Sequence, residues 1–255
     1  MSRRFLREIS IVLFNLLVSD EPCANEQPLF PQEKWSFDQL FGTYDRAELQ
    51  RGFQVYQQVC STCHGLSHIS YRQLKALGFS EAKIKAIAAQ KEVQDGVDED
   101  GNPVKRNGKP SDYFPNPFVN EKAARAANNG ANPPDLSLVI KGRKGGPHYV
   151  KALLKGYVET PAGMKLAPGM SYNLYFGGHQ IAMASPLSDH LVEYADGTAA
   201  TVDQMAHDVV TFLAWASEPE MEERKHLGVK ILTYLLVFTV LMGLVKRRTW
   251  RRLEE

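Results

Sequence analysis

The sequence predicts a mainly α-helical domain with long loops, followed by one C-terminal transmembrane helix. Apolar residues recur at helical spacing in two well-separated segments, and strand signals are thin along the 255 residues. Residues 227–245 form an apolar stretch that a single charge, Lys230, interrupts. Because a chain of this length can bury one sizeable core, we expect one domain with appendages.

Composition restricts the classes of function. The formal net charge is +1, so no overall field favours nucleic acid, and we expect no nucleic-acid partner. The chain has three cysteines, Cys23, Cys60 and Cys63, too few for a disulfide framework. Stability must therefore come from packing and from a cofactor.

The N-terminus resembles an export signal in part. A basic start precedes apolar residues 9–18, but Asn15 interrupts the apolar run, and acidic residues stand where small residues precede a cleavage site. We assign residues 1–26 to an export signal or an N-terminal extension, and residues 27–226 to the main domain. Cys23 is interpreted as an unpaired thiol.

The first predicted helix leads to Cys60. Asp45 followed three residues later by Glu48 is typical of a helix N-terminus. The apolar residues that follow at helical spacing are Leu49, Phe53 and Tyr56. Gly52 costs about 1 kcal/mol relative to alanine inside a helix, so we expect another backbone to pack closely there.

A second helix begins at Thr201, with Gln204 at the capping-box position, and ends before Pro219. Its apolar face consists of Met205, Val209, Phe212 and Leu213. This face is suited to packing against the first helix.

The region between these two helices combines helices and loops. Residues 81–90, 121–128 and 149–156 are predicted helices. Residues 95–101 form an acidic, glycine-bearing loop, and residues 110–134 are rich in proline and asparagine.

Residues 227–245 are predicted to span a membrane. Nineteen helical residues extend about 28 Å, close to the roughly 30 Å hydrocarbon thickness of a bilayer, and a lysine near a helix end can reach the headgroups. The alternative is a buried core helix. Residues 246–255 form a basic tail, which predicts a cytoplasmic C-terminus and an exported main domain. We expect a single-pass protein of a bacterial inner membrane, or of the equivalent mitochondrial membrane.

Cys60, Cys63 and His64 form a C-x-x-C-H motif, which is typical of c-type haem attachment. The two thiols would bond the porphyrin, and the imidazole would ligate its iron. A thioredoxin-like dithiol lacks its preceding strand here, and a zinc site lacks a second ligand pair.

Electron-transfer cytochromes close the second face of the iron with methionine or with another histidine. Three methionines lie in loops, Met164, Met170 and Met183, and the candidate histidines are His148 and His179. Glycine, alanine and proline surround Met183, so its loop can approach a flat haem closely. Context favours Met183 and leaves the other four open.

Beyond these residues, the chain resembles the cytochrome c1 family, the haem subunits of cytochrome bc1 complexes, over residues 37–250. The runs that carry the resemblance, besides the C-x-x-C-H motif, are Asn120-Glu121-Lys122-Ala123-Ala124-Arg125, Asn128-Asn129-Gly130-Ala131, Pro133-Pro134-Asp135-Leu136-Ser137 and Glu218-Pro219. The resemblance implies a cytochrome c-like domain with one covalently bound haem c. It also implies Met183 as the second iron ligand, and Arg143 beside a haem propionate.

The function implied by this resemblance is transfer of single electrons from the Rieske iron-sulfur protein to a soluble or tethered cytochrome c, beside cytochrome b. The chain would be a non-catalytic subunit of ubiquinol–cytochrome c reductase. A membrane-tethered haem enzyme and a haem sensor are the alternative classes. The acidic residues Asp95, Asp98, Glu99 and Asp100 would either steer a basic cytochrome or simply be solvated.

Overall fold

The computed structural model describes residues 30–251. The predictions for residues 1–26 and for Cys23 lie outside this range, as do the last four residues. The α-helices described are α1 Arg46–Gln58, α2 Glu81–Ala89, α3 Glu121–Ala127, α4 Val139–Gly142, α5 Gly146–Lys155, α6 Val202–Ser217 and α7 Met221–Arg251. The 3₁₀ helices are Cys60–Thr62 and Tyr71–Leu77, and the strands are β1 Glu92–Val97, β2 Pro103–Asn107, β3 Ser171–Tyr172 and β4 Gln180–Ile181, paired as two antiparallel hairpins.

The core forms around α1 and α6, which pack against each other as the sequence predicts. Phe53 of α1 meets Phe212 of α6 edge to face, with ring centroids 5.6 Å apart. A Cβ atom at Gly52 would lie 2.0 Å from the carbonyl oxygen of Asp208. The expectation that another backbone approaches Gly52 is confirmed, and the missing side chain is what lets the helices come this close.

An ion pair fixes the orientation of these two helices. Arg51 donates from Nε to one carboxylate oxygen of Asp208 at 2.9 Å and from Nη2 to the other at 3.0 Å. Asp208 is fully buried, and Gln204 donates a further hydrogen bond to it at 3.1 Å. These bonds raise the pKa of Arg51 above its ordinary value, so the buried carboxylate keeps a charged partner.

Both predicted helix starts are confirmed by their caps. The Asp45 side chain accepts hydrogen bonds from the amides of Ala47 and Glu48, and the Thr201 hydroxyl accepts from the amide of Gln204. These side chains satisfy amides that have no intrahelical partner.

The prediction of a loop over residues 95–101 is wrong for residues 95–97, which belong to β1, and right for residues 98–101, which form the turn of the antiparallel β1–β2 hairpin. Asp98 closes the turn by accepting from the amides of Asp100 and Asn102. Cross-strand pairing of Arg106 with Asp95 at 2.9 Å adds to the ladder. The acidic composition concealed the strand signal, since charge pairing and the turn stabilise this hairpin.

The C-terminal helix α7 continues beyond the predicted span at both ends. It is the one helix within residues 30–251 that is long and apolar enough to cross a membrane. Its first turn is fixed to the domain: Met221 is buried, and Glu222 accepts hydrogen bonds from the Tyr44 amide at 2.8 Å and from Arg46. The apolar part of α7 has no cover within the described chain.

Candidate functional site

The C-x-x-C-H motif forms a tight turn directly after α1. The Cys60 carbonyl accepts from the amides of Cys63 at 3.1 Å and of His64 at 2.9 Å, and the Ser61 hydroxyl donates to the Gln57 carbonyl at 2.8 Å. Cys60 and Cys63 are free, half-buried thiols. Burial raises the pKa of Cys60 to about 12, so the group is a thiol rather than a thiolate at neutral pH.

The imidazole of His64 is oriented by one backbone carbonyl. Its Nδ1 lies 2.7 Å from the Pro134 oxygen, a contact that assigns the proton to Nδ1 and leaves the lone pair on Nε2. Burial lowers the pKa of His64, although the Pro134 hydrogen bond opposes that change. A neutral imidazole with its second nitrogen tied to a carbonyl is the usual state of a metal-ligating histidine.

A second segment, around Pro134 and Asp135, holds the chain that follows His64. The Leu136 amide donates to the Gly65 carbonyl at 2.9 Å. One Asp135 carboxylate oxygen accepts from the Ser67 amide at 2.8 Å. Burial by itself would raise the pKa of the Asp135 carboxyl, but hydrogen bonds from Ser137 and Ser67 lower it below its ordinary value.

Sequence reasoning used Pro134 and Asp135 only as markers of resemblance and missed these roles. The available signal was the Pro-Pro-Asp run after an asparagine-rich passage, a pattern that favours an ordered turn. Gly65 was missed as well: a Cβ there would lie 2.2 Å from Oδ1 of Asn116. The glycine thus allows two loops to meet beside the histidine.

Met183 lies on a different element, two residues after β4. It is half-buried, and its carbonyl accepts from the Tyr157 hydroxyl at 3.0 Å. The buried Asn173 organises this region, since it donates to the Leu153 carbonyl at 2.8 Å and accepts from the Tyr175 amide at 3.0 Å. The loop that carries Met183 is therefore tied to the end of α5.

The other candidate ligands differ in exposure and in contacts. Met164 is half-buried and Met170 is exposed. Nδ1 of His148 accepts from the Trp35 indole at 3.4 Å, and Nδ1 of His179 lies 3.1 Å from the Asn173 carbonyl. Each histidine therefore has one ring nitrogen engaged by a structural contact.

Arg143 is exposed at the end of α4. No carboxylate of residues 30–251 lies within ion-pair distance of it. Burial raises the pKa of Tyr149, and the positive charge of Arg143 opposes this rise. Tyr149 in turn acts on Tyr157, whose pKa is raised mainly by burial. Among these residues, the direct contact is the hydrogen bond that the Tyr157 hydroxyl donates to the Met183 carbonyl at 3.0 Å.

The arrangement fits covalent haem better than the alternatives. Within the described range, no group of three or more histidine, cysteine or acidic side chains is placed to hold a metal ion. The motif follows a helix rather than a strand, unlike a redox-active dithiol in a βαβ unit. Two free thiols and a histidine whose Nδ1 is bound to a carbonyl match the needs of a c-type haem.

An open cleft of about 260 Å³ adjoins Cys63. Its wall is partly apolar, with Phe118, Val119 and Pro133 among the lining residues. The apolar part of this wall, beside the thiol, is suited to contact with a hydrophobic macrocycle.

Comparison with known proteins agrees with this geometry. The model of the Cytochrome C1 family matches residues 35–253. Cytochrome c1 of Rhodospirillum rubrum is 50% identical over 240 residues, covering 88% of this chain and 88% of that protein. The "Cytochrome c1, heme protein, mitochondrial" of Saccharomyces cerevisiae is 50% identical over 221 residues, 86% of this chain and 72% of that protein.

A third relative, the "Cytochrome b-c1 complex catalytic subunit, mitochondrial" of Candida albicans, is 49% identical over 241 residues, covering 94% of this chain and 84% of that protein. The matches define a class of protein, the electron-transfer haem subunit of the cytochrome bc1 complex. This chain belongs to the cytochrome c1 family.

Proposed function

We propose that this chain carries one covalently bound haem c and passes single electrons from the Rieske iron-sulfur protein to a soluble or tethered cytochrome c. It would do so in a complex with cytochrome b, as a subunit of ubiquinol–cytochrome c reductase. Membership of the cytochrome c1 family supports this proposal. The observation that carries it is the orientation of His64 by the Pro134 carbonyl.

Four side chains would hold the cofactor. Cys60 and Cys63 would form thioether bonds to the porphyrin, and His64 Nε2 and Met183 Sδ would ligate its iron. When bound, the haem supplies a one-electron iron couple. With both residues bound to the iron, no position would be left for oxygen or peroxide, and this favours electron transfer over the haem-enzyme alternative.

The polar side of the site would be provided by Arg143. As a solvent-accessible cation with no carboxylate partner among residues 30–251, it is available to a propionate. Tyr149, on the helix that follows Arg143, would offer that anion a second hydrogen-bond donor.

The membrane assignment belongs to this proposal. Residues 27–226 would form the haem domain, residues 227–245 of α7 the transmembrane anchor, and residues 246–255 a basic cytoplasmic tail. The apolar, uncovered surface of α7 supports the anchor, and the basic residues after it support an exported haem domain. The site would face the periplasm, or the intermembrane space in a mitochondrion.

The Met183→Leu variant tests the ligand assignment. Leucine cannot ligate iron, so the reduction potential should fall by on the order of 100 mV, well within the roughly 0.8 V range that axial ligands control. Reduced protein should also begin to bind carbon monoxide. Redox titration and difference spectra on purified protein measure both changes.

Met170→Leu is the matched control, since it removes an exposed loop thioether and should change neither property. An unchanged potential in the Met183 variant, or an equal change in the Met170 variant, would disprove the assignment. Covalent attachment is checked separately: the pigment should stay with the polypeptide during acid-acetone extraction.

A further inference from the structure

Residues 38–42 form a hydrogen-bonded turn before α1. The Gly42 amide donates to the Gln39 carbonyl at 2.8 Å, and a Cβ at Gly42 would lie 2.5 Å from the Ser36 carbonyl oxygen. The turn is attached to the core on both sides through the buried rings of Phe37 and Tyr44, which contact each other with centroids 5.2 Å apart. The backbone of this turn is therefore well fixed.

The tip of the turn presents two large apolar side chains to the outside. Leu40 and Phe41 are each 74% exposed. Single exposed apolar residues are common, but two adjacent ones on a fixed turn form a projecting apolar surface. No other part of residues 30–251 covers them.

The turn is bound to the start of α7 by one lysine. Nζ of Lys225 donates to the carbonyls of Phe37 at 2.7 Å, Gln39 at 2.7 Å and Gly42 at 3.1 Å. An ammonium has three donor hydrogens, so this one is fully used in holding the turn. Because Lys225 lies in the first turns of α7, the apolar tip is set at the height of that helix's N-terminal end.

The height of the tip follows from helix geometry. Lys225 precedes residue 227, the first residue of the proposed span, by two positions, about 3 Å along the helix axis. The headgroup zone on each side of a bilayer is about 5–8 Å thick. The carbonyls that Lys225 holds are therefore within the headgroup zone or at its outer edge.

We propose that Leu40 and Phe41 insert into the lipid interface and form a second membrane contact of the exported domain. The inference rests on the proposed membrane anchoring by α7. The occupant is lipid, because the surface is apolar at its tip and the carbonyls behind it lie at headgroup level beside the proposed span. Two contacts, the helix and the turn, hold the domain against tilting over the membrane.

Site-directed spin labelling of the haem-loaded chain in phosphatidylcholine vesicles tests the inference. Leu40→Cys and Phe41→Cys are made in a Cys23→Ser background, and each nitroxide is probed with oxygen, which partitions into lipid, and with a water-soluble nickel chelate. Val97→Cys is the control, an exposed apolar position on the β1–β2 hairpin. The ratio of oxygen to nickel accessibility at Leu40 and Phe41 should exceed that at Val97 several-fold.

Equal ratios at Leu40, Phe41 and Val97 would overturn the inference. So would nitroxides that are water-accessible in vesicles but shielded from both reagents in the assembled complex, since a protein partner would then cover the turn. A nitroxide at Leu236, midway along α7, reports on the anchor separately. Oxygen accessibility at Leu236 with aqueous values at Leu40 would refute the inference and leave the anchor intact.

The Lys225→Met variant tests whether Lys225 holds the turn in place against α7 or only lies near it. It removes three hydrogen bonds to the turn while keeping an apolar stem of similar length. The Leu40 nitroxide should become more mobile and its accessibility ratio should fall, whereas Leu236 should be unaffected. No change at Leu40 would show that Lys225 does not place the tip.

Discussion

The two proposed iron ligands lie in regions built in different ways. His64 follows directly on α1, a helix in the densest part of the core, and its position is set within five residues of Cys60. Met183 follows a two-residue strand in a long connection, and its loop depends on side-chain hydrogen bonds from Tyr157 and around Asn173.

The two proposed ligands are therefore held in place by different kinds of interaction. The His64 side is rigid because helix packing fixes the element from which it extends, whereas the Met183 side is ordered by a few polar contacts. We expect damage to the α1–α6 packing to reduce stability, and damage to the Asn173 network to alter the electron-transfer site.

The largest effect is expected from Gly52→Ala. The added Cβ would collide with the Asp208 carbonyl, 2.0 Å away, and separating α1 from α6 should cost roughly 3 kcal/mol of unfolding free energy. Denaturant unfolding in detergent measures this loss. Gly142→Ala is the control because nothing lies within 4 Å of its Cβ position, and it should leave stability nearly unchanged. Equal stability of the two variants would contradict the close packing.

An intermediate effect is expected from Asn173→Ala. It leaves the Leu153 carbonyl and the Tyr175 amide without a partner in a buried site, which should cost about 2 kcal/mol. The reduction potential should also fall, though by less than in Met183→Leu, because the ligand remains and only its loop loosens. Asn102→Ala, on the exposed hairpin turn, should change neither. A destabilised protein with an unaltered potential would uncouple Asn173 from the Met183 loop.

The smallest effect expected is on the pH dependence of the stability of the α1–α6 core. His207 of α6 lies 3.3 Å from Glu48 of α1 and 3.0 Å from Glu33. The hydrogen bond to Glu48 and the two carboxylate charges raise its pKa, while burial and Lys151 oppose the rise. The stabilisation is thus complete below about pH 6.5, the ordinary pKa of histidine, and is lost as pH rises through the raised value.

Between pH 6 and pH 8, wild-type protein should therefore lose roughly 0.5 kcal/mol more unfolding free energy than His207→Gln. This energy is typical of a partly exposed ion pair. Denaturant unfolding at both pH values checks this. His68→Gln alters an exposed histidine and should keep the wild-type profile. Parallel profiles for wild type and His207→Gln would show that the ion pairs do not stabilise the fold.

The elements that sequence reasoning predicted were those with local signals. The caps at Asp45 and Thr201 located α1 and α6, and Gly52 indicated the close approach of another backbone. The β1–β2 hairpin was missed because its charged residues resemble a solvated loop until Arg106 is paired with Asp95. The start of α5 was placed three residues late, since Gly146 and Pro147 resemble a loop although proline suits the first turn of a helix.

The candidate site also has a part that local sequence signals predicted and a part that they did not. The spacing of Cys60, Cys63 and His64 is local, and it sufficed to indicate the chemistry. Nothing local distinguishes the Pro134 carbonyl that orients His64, because it comes from a residue 70 positions away.

The sequence by itself determined the helical class, the attachment motif and the apolar C-terminal helix, because each of these signals lies in a continuous stretch of the chain. Tertiary structure alone decided which carbonyl holds His64, how Asn173 supports the Met183 loop, and that Lys225 binds the apolar turn to α7. Those contacts join segments that are distant in the chain, and only packing of the whole domain brings them together.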